Sequence, residues 1–555
     1  MTDINKNILV SVAWPYANGR IHIGHLAGCY LPADIFARFN RMIGNNVLMV
    51  SGSDAHGTPV VISALQENKT PEEIFELYDK DINQSWSNLR INFDLFTSTR
   101  TQNHEKVVQD IFLDLLHKGF IYSKDMLLPY CSDCERFLAD RYVEGTCPDK
   151  ECNSKDARGD QCDDCGKTLD PKDLIDMVCK ICSKSEVINF RNSEHYFLKL
   201  SSFENKLKDW LNSKNNFKAN VQKTSLGFMS EGLLDRPITR DIDWGIKVPV
   251  DGWENKRIYV WFEAVIGYLS ASIEYFSDKQ NKDQWKEYWQ GESESYYFMG
   301  KDNIIFHSVI LPAILLGKGE LNLPHNIPAN EYLNLEGKQL STSRNWALWA
   351  NELSEIYDSD TIRYSLASNL PESSDTNFSL NELIRSNNQE LVAAYGNLVN
   401  RVLSFTYRNF DHKVPEKLEL HPEDLELLNK AKNVMSDVDN DLYHCKFKSA
   451  ISRIFGMAQE CNRYLDYAAP WKVIKEDKAR AGTILWTCIA TINCLKTMVA
   501  PFLPFSSAEI DFMLNLGVTT TSWNAEEVID QIKSDYTLNE PTPLFKKLEL
   551  EDVNV

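Results

Sequence analysis

The sequence predicts an α/β protein: a parallel-sheet domain, interrupted by a cysteine-rich insertion and followed by an α-helical bundle. Three observations carry this expectation. Strand-like apolar runs alternate with amphipathic helices near the start of the chain, and the alternation resumes past residue 235. Between those two halves lie eight cysteines in four close pairs. From about Asp360 onward the apolar spacing is almost entirely helical.

The bulk properties narrow the function classes. A chain of 555 residues suggests about three or four domains, and a hydrophobic content of 43% excludes a disordered chain. The net charge of −20, from 59 basic and 79 acidic residues, excludes a general polyanion binder. Any nucleic acid would have to be met by local basic patches. Met1 to Asn7 is polar and has no secretory character. The longest apolar tract, Leu485 to Phe505, is broken by Asn493, Lys496, Pro501 and Pro504, and reads as a core helix. A cytoplasmic location is expected.

The first element is a buried strand, Ile8 to Ala13. A turn follows, Trp14-Pro15-Tyr16-Ala17-Asn18-Gly19-Arg20-Ile21-His22-Ile23-Gly24-His25. A helix from Leu26 to Met42 then shows Leu26, Tyr30, Leu31, Ile35, Phe36, Phe39 and Met42 on one face. His22 and His25 therefore share a face of the first helical turn, where free N–H groups and the helix dipole attract anions. A lone His-x-x-His is more often an ordinary helix start, so this pair needs support from the rest of the chain. The next strand, Val47 to Ser51, ends in Gly52-Ser53-Asp54-Ala55-His56-Gly57-Thr58-Pro59. Strand, helix and strand in that order make a parallel βαβ unit, whose ligands bind beyond the strands' carboxyl ends. Neither GxGxxG nor GxxxxGK[ST] occurs, so no dinucleotide fingerprint or P-loop is indicated.

The pairs Cys131/Cys134, Cys147/Cys152, Cys162/Cys165 and Cys179/Cys182 suit two sites of four thiolates each, with zinc as the natural metal. The Cys147/Cys152 pair is the most widely spaced and the weakest of the four. A thioredoxin-like redox site would show one such pair, not four. Cys29, Cys445, Cys461, Cys488 and Cys494 are expected in the core. Phe190 to Leu234 reads as largely helical, Ile258 to Ala264 as an apolar strand, Tyr296 to Met299 as another strand, and Ile304 to Leu316 as a helix carrying His307. Glu336 to Arg344 is a polar loop with Lys338, Ser341, Thr342, Ser343 and Arg344. In the bundle, Asn397 and Arg401 are i, i+4 neighbours off the apolar stripe, and Trp471 lies in the first turn of a helix starting near Pro470. Such a tryptophan suits either base stacking or core packing.

Taken together these motifs resemble the class I aminoacyl-tRNA synthetases, and among them the methionyl-tRNA synthetases, over almost the full chain. His22-Ile23-Gly24-His25 is similar to the HIGH signature and Gln339-Leu340-Ser341-Thr342-Ser343 to the KMSKS loop. The methionine-site segments are matched by Ala13-Trp14-Pro15-Tyr16, Asp54-Ala55-His56-Gly57, Trp261 with Ala264, and Gly300-Lys301-Asp302 with His307.

The resemblance implies a Rossmann-like catalytic domain at 1–117 and 225–324, with a zinc-knuckle connective insertion at 118–224 between its halves. A KMSKS-type, stem-contacting region at 325–383, an anticodon-binding bundle at 384–545 and a tail at 546–555 complete the organisation. It implies ATP-dependent activation of methionine, then transfer to the terminal adenosine of tRNA(Met), read through its CAU anticodon. His22, Gly24, His25, Lys338 and Thr342 would contact ATP and its Mg²⁺, with Ser341, Ser343 and Arg344 closing over the phosphates. Ala13, Trp14, Tyr16, Asp54, Arg240, Trp261, Ala264, Tyr268, Asn303, Ile304 and His307 would form the methionine site, with Asp54 facing the ammonium. Asn397, Arg401 and Trp471 would read the anticodon.

The nested pairing of the family puts Cys147, Cys152, Cys162 and Cys165 on one zinc, and Cys131, Cys134, Cys179 and Cys182 on the other. Gln339 and Thr342 depart from the family pattern, which carries lysine at both positions. Lys338 and Arg344 are the candidates to replace that charge. Two competing readings are a sister synthetase for leucine, valine or isoleucine, for which the insertion leaves little editing room, and a zinc-ribbon nucleic-acid binder without catalysis. A monomer is expected.

Overall fold

The computed structural model describes residues 5–139, 142–159, 162, 164, 165, 167, 169–341, 346–517 and 522–549. Its centre is a five-stranded sheet with the spatial order Ala329–Asn330, Ser293–Gly300, Asn7–Val12, Asn46–Ser53, Leu95–Ser98, every neighbouring pair parallel. Asn7–Val12 is the middle strand, aligned with Asn46 on one side and Ser293 on the other. The chain leaves it first toward Asn46–Ser53 and returns much later on its opposite flank as Ser293–Gly300. The strand order therefore reverses beside Asn7–Val12, and a crevice opens beyond the carboxyl ends of this strand and of Ser293–Gly300. Leu9, Val10 and Val12 are fully buried, as strands covered on both faces must be.

Two expected elements differ. Ile258 to Ala264 is not a strand: Arg257–Ile258 makes a two-residue pairing, and the helix Val260–Ser277 begins immediately after. A short apolar run does not distinguish buried strand from buried helix; length does, and this segment continues as one helix for eighteen residues. Phe190 to Leu234 is not uniformly helical. Ile188–Leu198 is a strand paired antiparallel along its whole length with Ile121–Cys131, and the helices Glu204–Ser213 and Ala219–Phe228 follow. The partner lies about seventy residues upstream, so local periodicity carries no sign of the ribbon. The cysteine pairs sit at and beyond its far end, around the small sheet of Val143–Thr146, Ala157–Arg158 and Ile175–Cys179.

The bundle packs long helices, chiefly Pro422–Tyr443, Phe447–Ala468 and Lys478–Val499. The last of these is long and apolar enough to cross a membrane by length and composition alone, yet its apolar window is wholly buried inside the protein. Cys29, Cys445, Cys461, Cys488 and Cys494 are all buried, as expected.

One side chain joins bundle to sheet domain. Arg363, fully buried, donates to Asp34 Oδ2 at 2.7 Å, to the Leu89 carbonyl at 2.9 Å, and to the carbonyls of Pro501 and Phe502 at 2.9 and 2.7 Å. Burial would raise the Asp34 carboxyl, but Arg363 and Arg38 outweigh it and hold it below its ordinary range. Arg363→Met leaves these buried groups short of donors. It should lower unfolding stability by about 3 kcal/mol, read from urea midpoints; a loss under about 1 kcal/mol would show that the junction is dispensable.

Candidate functional site

The turn after Asn7–Val12 is built by the two histidines themselves. His22 caps the helix that starts at Ile23: its Nδ1 accepts from the Gly24 N–H at 3.1 Å, while His25 Nδ1 accepts from the His22 N–H at 3.2 Å. This is a capping box made of imidazoles. Each Nδ1 is used as an acceptor, so each neutral ring carries its proton on Nε2. The rings stack with centroids 3.7 Å apart. Burial holds His25 down to about 4, and burial with the neighbouring His25 holds His22 well below its ordinary value. Both are therefore neutral N–H donors at physiological pH.

Gly24 is required by close approach. A Cβ there would lie 2.7 Å from Leu340 Cδ1 and 2.9 Å from His22 Cε1. Leu340 belongs to the polar loop, so the loop's first turn already rests on the histidine turn. The strands Leu333–Leu335 and Lys338–Gln339 are joined by Glu336 and Gly337, both at positive φ, a tight hairpin that presents Lys338 to solvent. Lys338 Nζ lies 5.1 Å from the centre of the Trp346 ring. Ser341 and Trp346 exchange backbone hydrogen bonds at 2.9 Å. Beyond them, Ile23 and Ala350 fasten the histidine turn to 348–350 through Ile23 N–H to Leu348 O and Ala350 N–H to Ile21 O. Thr342, Ser343 and Arg344 lie outside the described residues.

The aromatic cluster forms beside this turn. Trp261, Ala264 and Tyr268 share one face of Val260–Ser277, a spacing that makes sense only once the segment is helical. Tyr16 meets Trp261 edge-to-face at 5.9 Å, and Trp261 stacks on Phe306 at 4.1 Å. The Tyr268 hydroxyl donates to His307 Nε2 at 2.7 Å, and His307 Nδ1 donates to the Asn303 carbonyl at 2.8 Å. Burial holds His307 down to about 4, so it is neutral. Ala264 and Ile304 are buried. Ala13 is fixed by its N–H to Phe298 O and by the Tyr30 hydroxyl on its carbonyl. Trp14 is gripped between two glycines: a Cβ at Gly52 or Gly267 would come within 2.7 or 2.8 Å of its ring.

Asp54 continues the Tyr16 segment through paired backbone bonds, Asp54 N–H to Pro15 O and Ala17 N–H to Asp54 O, both 2.8 Å. Its Oδ1 accepts the His56 N–H at 3.1 Å, and His56 Nδ1 bonds the buried Glu263 at 3.1 Å. Burial, with Glu263 close by, pushes the Asp54 carboxyl up to about 8. Arg240 lies on the two-residue strand Thr239–Arg240, paired with Arg257–Ile258. It donates to the carbonyls of Pro237 and Thr239 and lies 3.8 Å over the Tyr259 ring. With Trp261 it lines a neighbouring cleft of about 690 Å³ beneath the insertion.

His56, Glu263 and Phe306 were missed at the sequence level. The first was visible in Asp54-Ala55-His56-Gly57, but its partner Glu263 lies some two hundred residues away. A further regularity was also missed. Three π-helical segments occur among the described residues, and each touches a candidate site: Leu26–Tyr30 follows His25, Phe306–Ile310 contains His307, and Asn387–Gly396 precedes Asn397. The first two are followed at once by the same tripeptide, Leu31-Pro32-Ala33 and Leu311-Pro312-Ala313. A proline inside a helix cannot bond the carbonyl four residues back, and a wider turn absorbs the defect.

In the bundle, Asn397 and Arg401 are exposed. Arg401 pairs with Asp466 at 2.7 Å and places its guanidinium 5.2 Å from the centre of the half-buried Trp471 ring.

The cysteines gather as two groups of four able to hold a metal ion, Cys131, Cys134, Cys179 and Cys182, and Cys147, Cys152, Cys162 and Cys165. The sulfur pairs Cys131/Cys182, Cys134/Cys179, Cys147/Cys165 and Cys152/Cys162 lie 3.7, 3.9, 3.9 and 3.6 Å apart. A tetrahedron with metal–sulfur bonds of about 2.3 Å has edges of about 3.8 Å, so both groups fit a four-thiolate ion. The widely spaced Cys147/Cys152 pair contributes both of its sulfurs.

The family model described as tRNA synthetases class I (M) matches residues 8–403, and the anticodon binding domain of methionyl tRNA ligase matches residues 414–555. The methionine–tRNA ligase of Dehalococcoides mccartyi (strain CBDB1) is 50% identical over 548 residues, covering 98% of each chain. That of Pyrococcus furiosus is 43% identical over 553 residues, which is 97% of this chain and 75% of its own. Among solved structures, Mycobacterium tuberculosis methionyl-tRNA synthetase in complex with methionyl-adenylate is 25% identical with a TM-score of 0.82, over 97% of this chain and 99% of its own. The chain belongs to the class I tRNA synthetases. Within that class its family is the methionyl one.

Metal analysis of the purified protein should give two ions per chain, and Cys131→Ser combined with Cys134→Ser should leave one. Retention of both ions by the double variant would remove the outer site.

Proposed function

We propose that this protein activates methionine with ATP, releasing pyrophosphate, and transfers the methionyl group to the terminal adenosine of tRNA(Met). The observation that carries this reading is the half-identity, over nearly the whole chain, to a protein named as a methionine–tRNA ligase. The geometry is in keeping with it. The methionine carboxylate is already a nucleophile, so the first step needs no general base; it needs the carboxylate held in line with the α-phosphorus. Tyr16, Trp261, Tyr268 and His307 form an aromatic cluster with the buried Ala264 and Ile304 on the same elements, and Tyr16 lies on the same turn as His22 and His25. A thioether is a weak acceptor, so selection rests on shape and on the few donors near sulfur.

The two neutral imidazoles donate Nε2–H to phosphate oxygens as charge develops on them, and the N–H groups of the helix start assist. They bring no charge. The positive charge for MgATP falls to Lys338, with Arg344 from the same loop. Asp54 receives the substrate ammonium, while the His56–Glu263 pair below keeps it in place. In the second step the tRNA terminal hydroxyl attacks the methionyl carbonyl and AMP leaves. Asn397, Arg401 and Trp471 form the surface that meets the CAU anticodon, with the guanidinium and indole as stacking partners. Zinc is the ion we assign to both thiolate groups. Closed four-thiolate sites lack an open position, so their part is to hold the insertion in shape. The domain limits given by the resemblance fit this division of labour, and the protein acts as a cytoplasmic monomer.

Amino-acid-dependent ATP–pyrophosphate exchange across the twenty substrates tests the reading. Methionine alone should support it; preference for leucine, valine or isoleucine, or no exchange at all, would overturn it. Lys338→Ala should cut the exchange rate at least tenfold with little change in the methionine KM, and equal rates in variant and parent would remove Lys338 from the site.

The Asp54 carboxyl gives a pH signature. Raised to about 8 in the free site, it is largely protonated at pH 7. An ammonium favours the carboxylate, so methionine binding expels a proton and tightens as pH rises toward 8, then levels. Calorimetry in buffers of different ionisation heat should detect this release near pH 7. Heats independent of buffer would show that Asp54 does not meet the ammonium.

A further inference from the structure

The helix behind His22 and His25 has a defect at a definite atom. In the π-turn Leu26–Tyr30, the Leu31 N–H reaches five residues back to the Leu26 carbonyl instead of four back to Ala27. The residue five ahead of Ala27 is Pro32, which has no N–H. The Ala27 carbonyl therefore has no backbone donor in its own helix, and Ala27 is fully buried. An unpaired buried carbonyl costs about 1–3 kcal/mol, so a donor from elsewhere is expected.

That donor is the side chain of Asn330, 3% exposed, whose Nδ2 lies 3.0 Å from Ala27 O. Asn330 is itself held. It sits at the edge of the central sheet, in register with Gly300 just before the Lys301-Asp302 turn. Its Oδ1 accepts from Lys218 Nζ at 2.8 Å, and the same ammonium reaches the Ala329 carbonyl at 3.3 Å. The lysine fixes which way the amide points, because a flipped amide would face NH₂ toward NH₃⁺. Lys218 is the residue from which the helix Ala219–Phe228 starts. One amide thus ties the histidine turn to the edge strand and to the end of the insertion.

We propose that Asn330 is a positioning residue for the ATP-binding turn: its side-chain amide holds the carbonyl that the π-turn and Pro32 leave without a donor, and so sets where His22 and His25 present Nε2–H. The proposal rests on the reading that this turn binds ATP. Ala27 is two residues beyond His25 on a continuous helix, so a shift there moves the imidazoles directly. A misplacement of about 1 Å at a positioned group costs up to about a hundredfold in rate.

The test uses the full chain with Asn330→Asp, which keeps the shape and the Lys218 contact but sets a carboxylate oxygen against the carbonyl. The ATP KM in methionine-dependent pyrophosphate exchange should rise roughly tenfold while the methionine KM stays within about twofold, and hydrogen exchange of the amides at 26–31 should speed up. Pro32→Ala restores a backbone N–H that can serve Ala27; in that background Asn330→Asp should cost no more than about threefold, since the carbonyl has another donor. Unchanged ATP kinetics, equal changes in both KM values, or an undiminished loss in the Pro32→Ala background would overturn the proposal. Should Asn330→Asp fail to fold, Lys218→Met leaves the donor but frees its orientation. A rise of about threefold in the ATP KM with the methionine KM unmoved supports the proposal, and no rise overturns it. Absence of exchange in the parent enzyme would strike the functional reading instead, and hydrogen exchange at 26–31 would still decide whether Asn330 holds the turn.

Discussion

The structure depends on how tightly the chain turns between Ile21 and His25. Two imidazoles serve as the capping groups of the helix they introduce, each accepting a backbone N–H through Nδ1. That single arrangement fixes their tautomer with the proton on Nε2 and accompanies stacking of the two rings. It also demands glycine at position 24, because Leu340 and the His22 ring occupy the space where a Cβ would stand. The turn is then fastened from outside by the backbone at 348–350 and by the polar loop through Leu340. The loop and the turn meet where residue 24 carries no side chain.

The sheet supplies the other half. Its strand order reverses beside Asn7–Val12, so the segments after this strand and after Ser293–Gly300 open on the same crevice. Tyr16 and Asp54 come from one side, His307 and Phe306 from the other, and Val260–Ser277 lays Trp261, Ala264 and Tyr268 between them. The helices that carry the histidines of both halves enter through π-turns ended by Leu-Pro-Ala. Each π-turn displaces backbone groups from their usual partners; behind His25 the Ala27 carbonyl is met by a side chain of the sheet edge.

Electrostatics divides the labour within the proposed reaction. The chain is acidic overall, and both histidines of the turn are neutral. Hydrogen-bond donation and charge are thus supplied by different residues, donation by the turn and charge by the loop carrying Lys338. A neutral donor can sit buried beside the apolar pocket without a counterion, whereas a cation there would need one. In the same way Asp54, kept largely protonated by burial, avoids an isolated buried charge until an ammonium arrives.

Much of this was legible in the sequence, and the limits have a physical reason. The strand-turn-helix from Ile8 to Met42, the second strand with Asp54 at its end, the four cysteine pairs and the helical bundle are local patterns. Periodicity, capping residues and short ligand spacings record them directly. What the sequence left open, or suggested wrongly, depends on partners distant along the chain. The strand Ile188–Leu198 exists because Ile121–Cys131 lies beside it, and its own residues do not say so. Ile258 to Ala264 resembles a strand until the surrounding core shows that the run continues as a helix buried along most of its length. The His56–Glu263 pair, the Arg363 junction and the Asn330 amide on Ala27 join residues hundreds of positions apart. The sequence by itself determined which chemical groups the protein carries and the local turns that expose them. Only the tertiary structure decided which neighbours hold those groups, because buried carbonyls and carboxylates are satisfied by whichever donor the fold brings within about 3 Å.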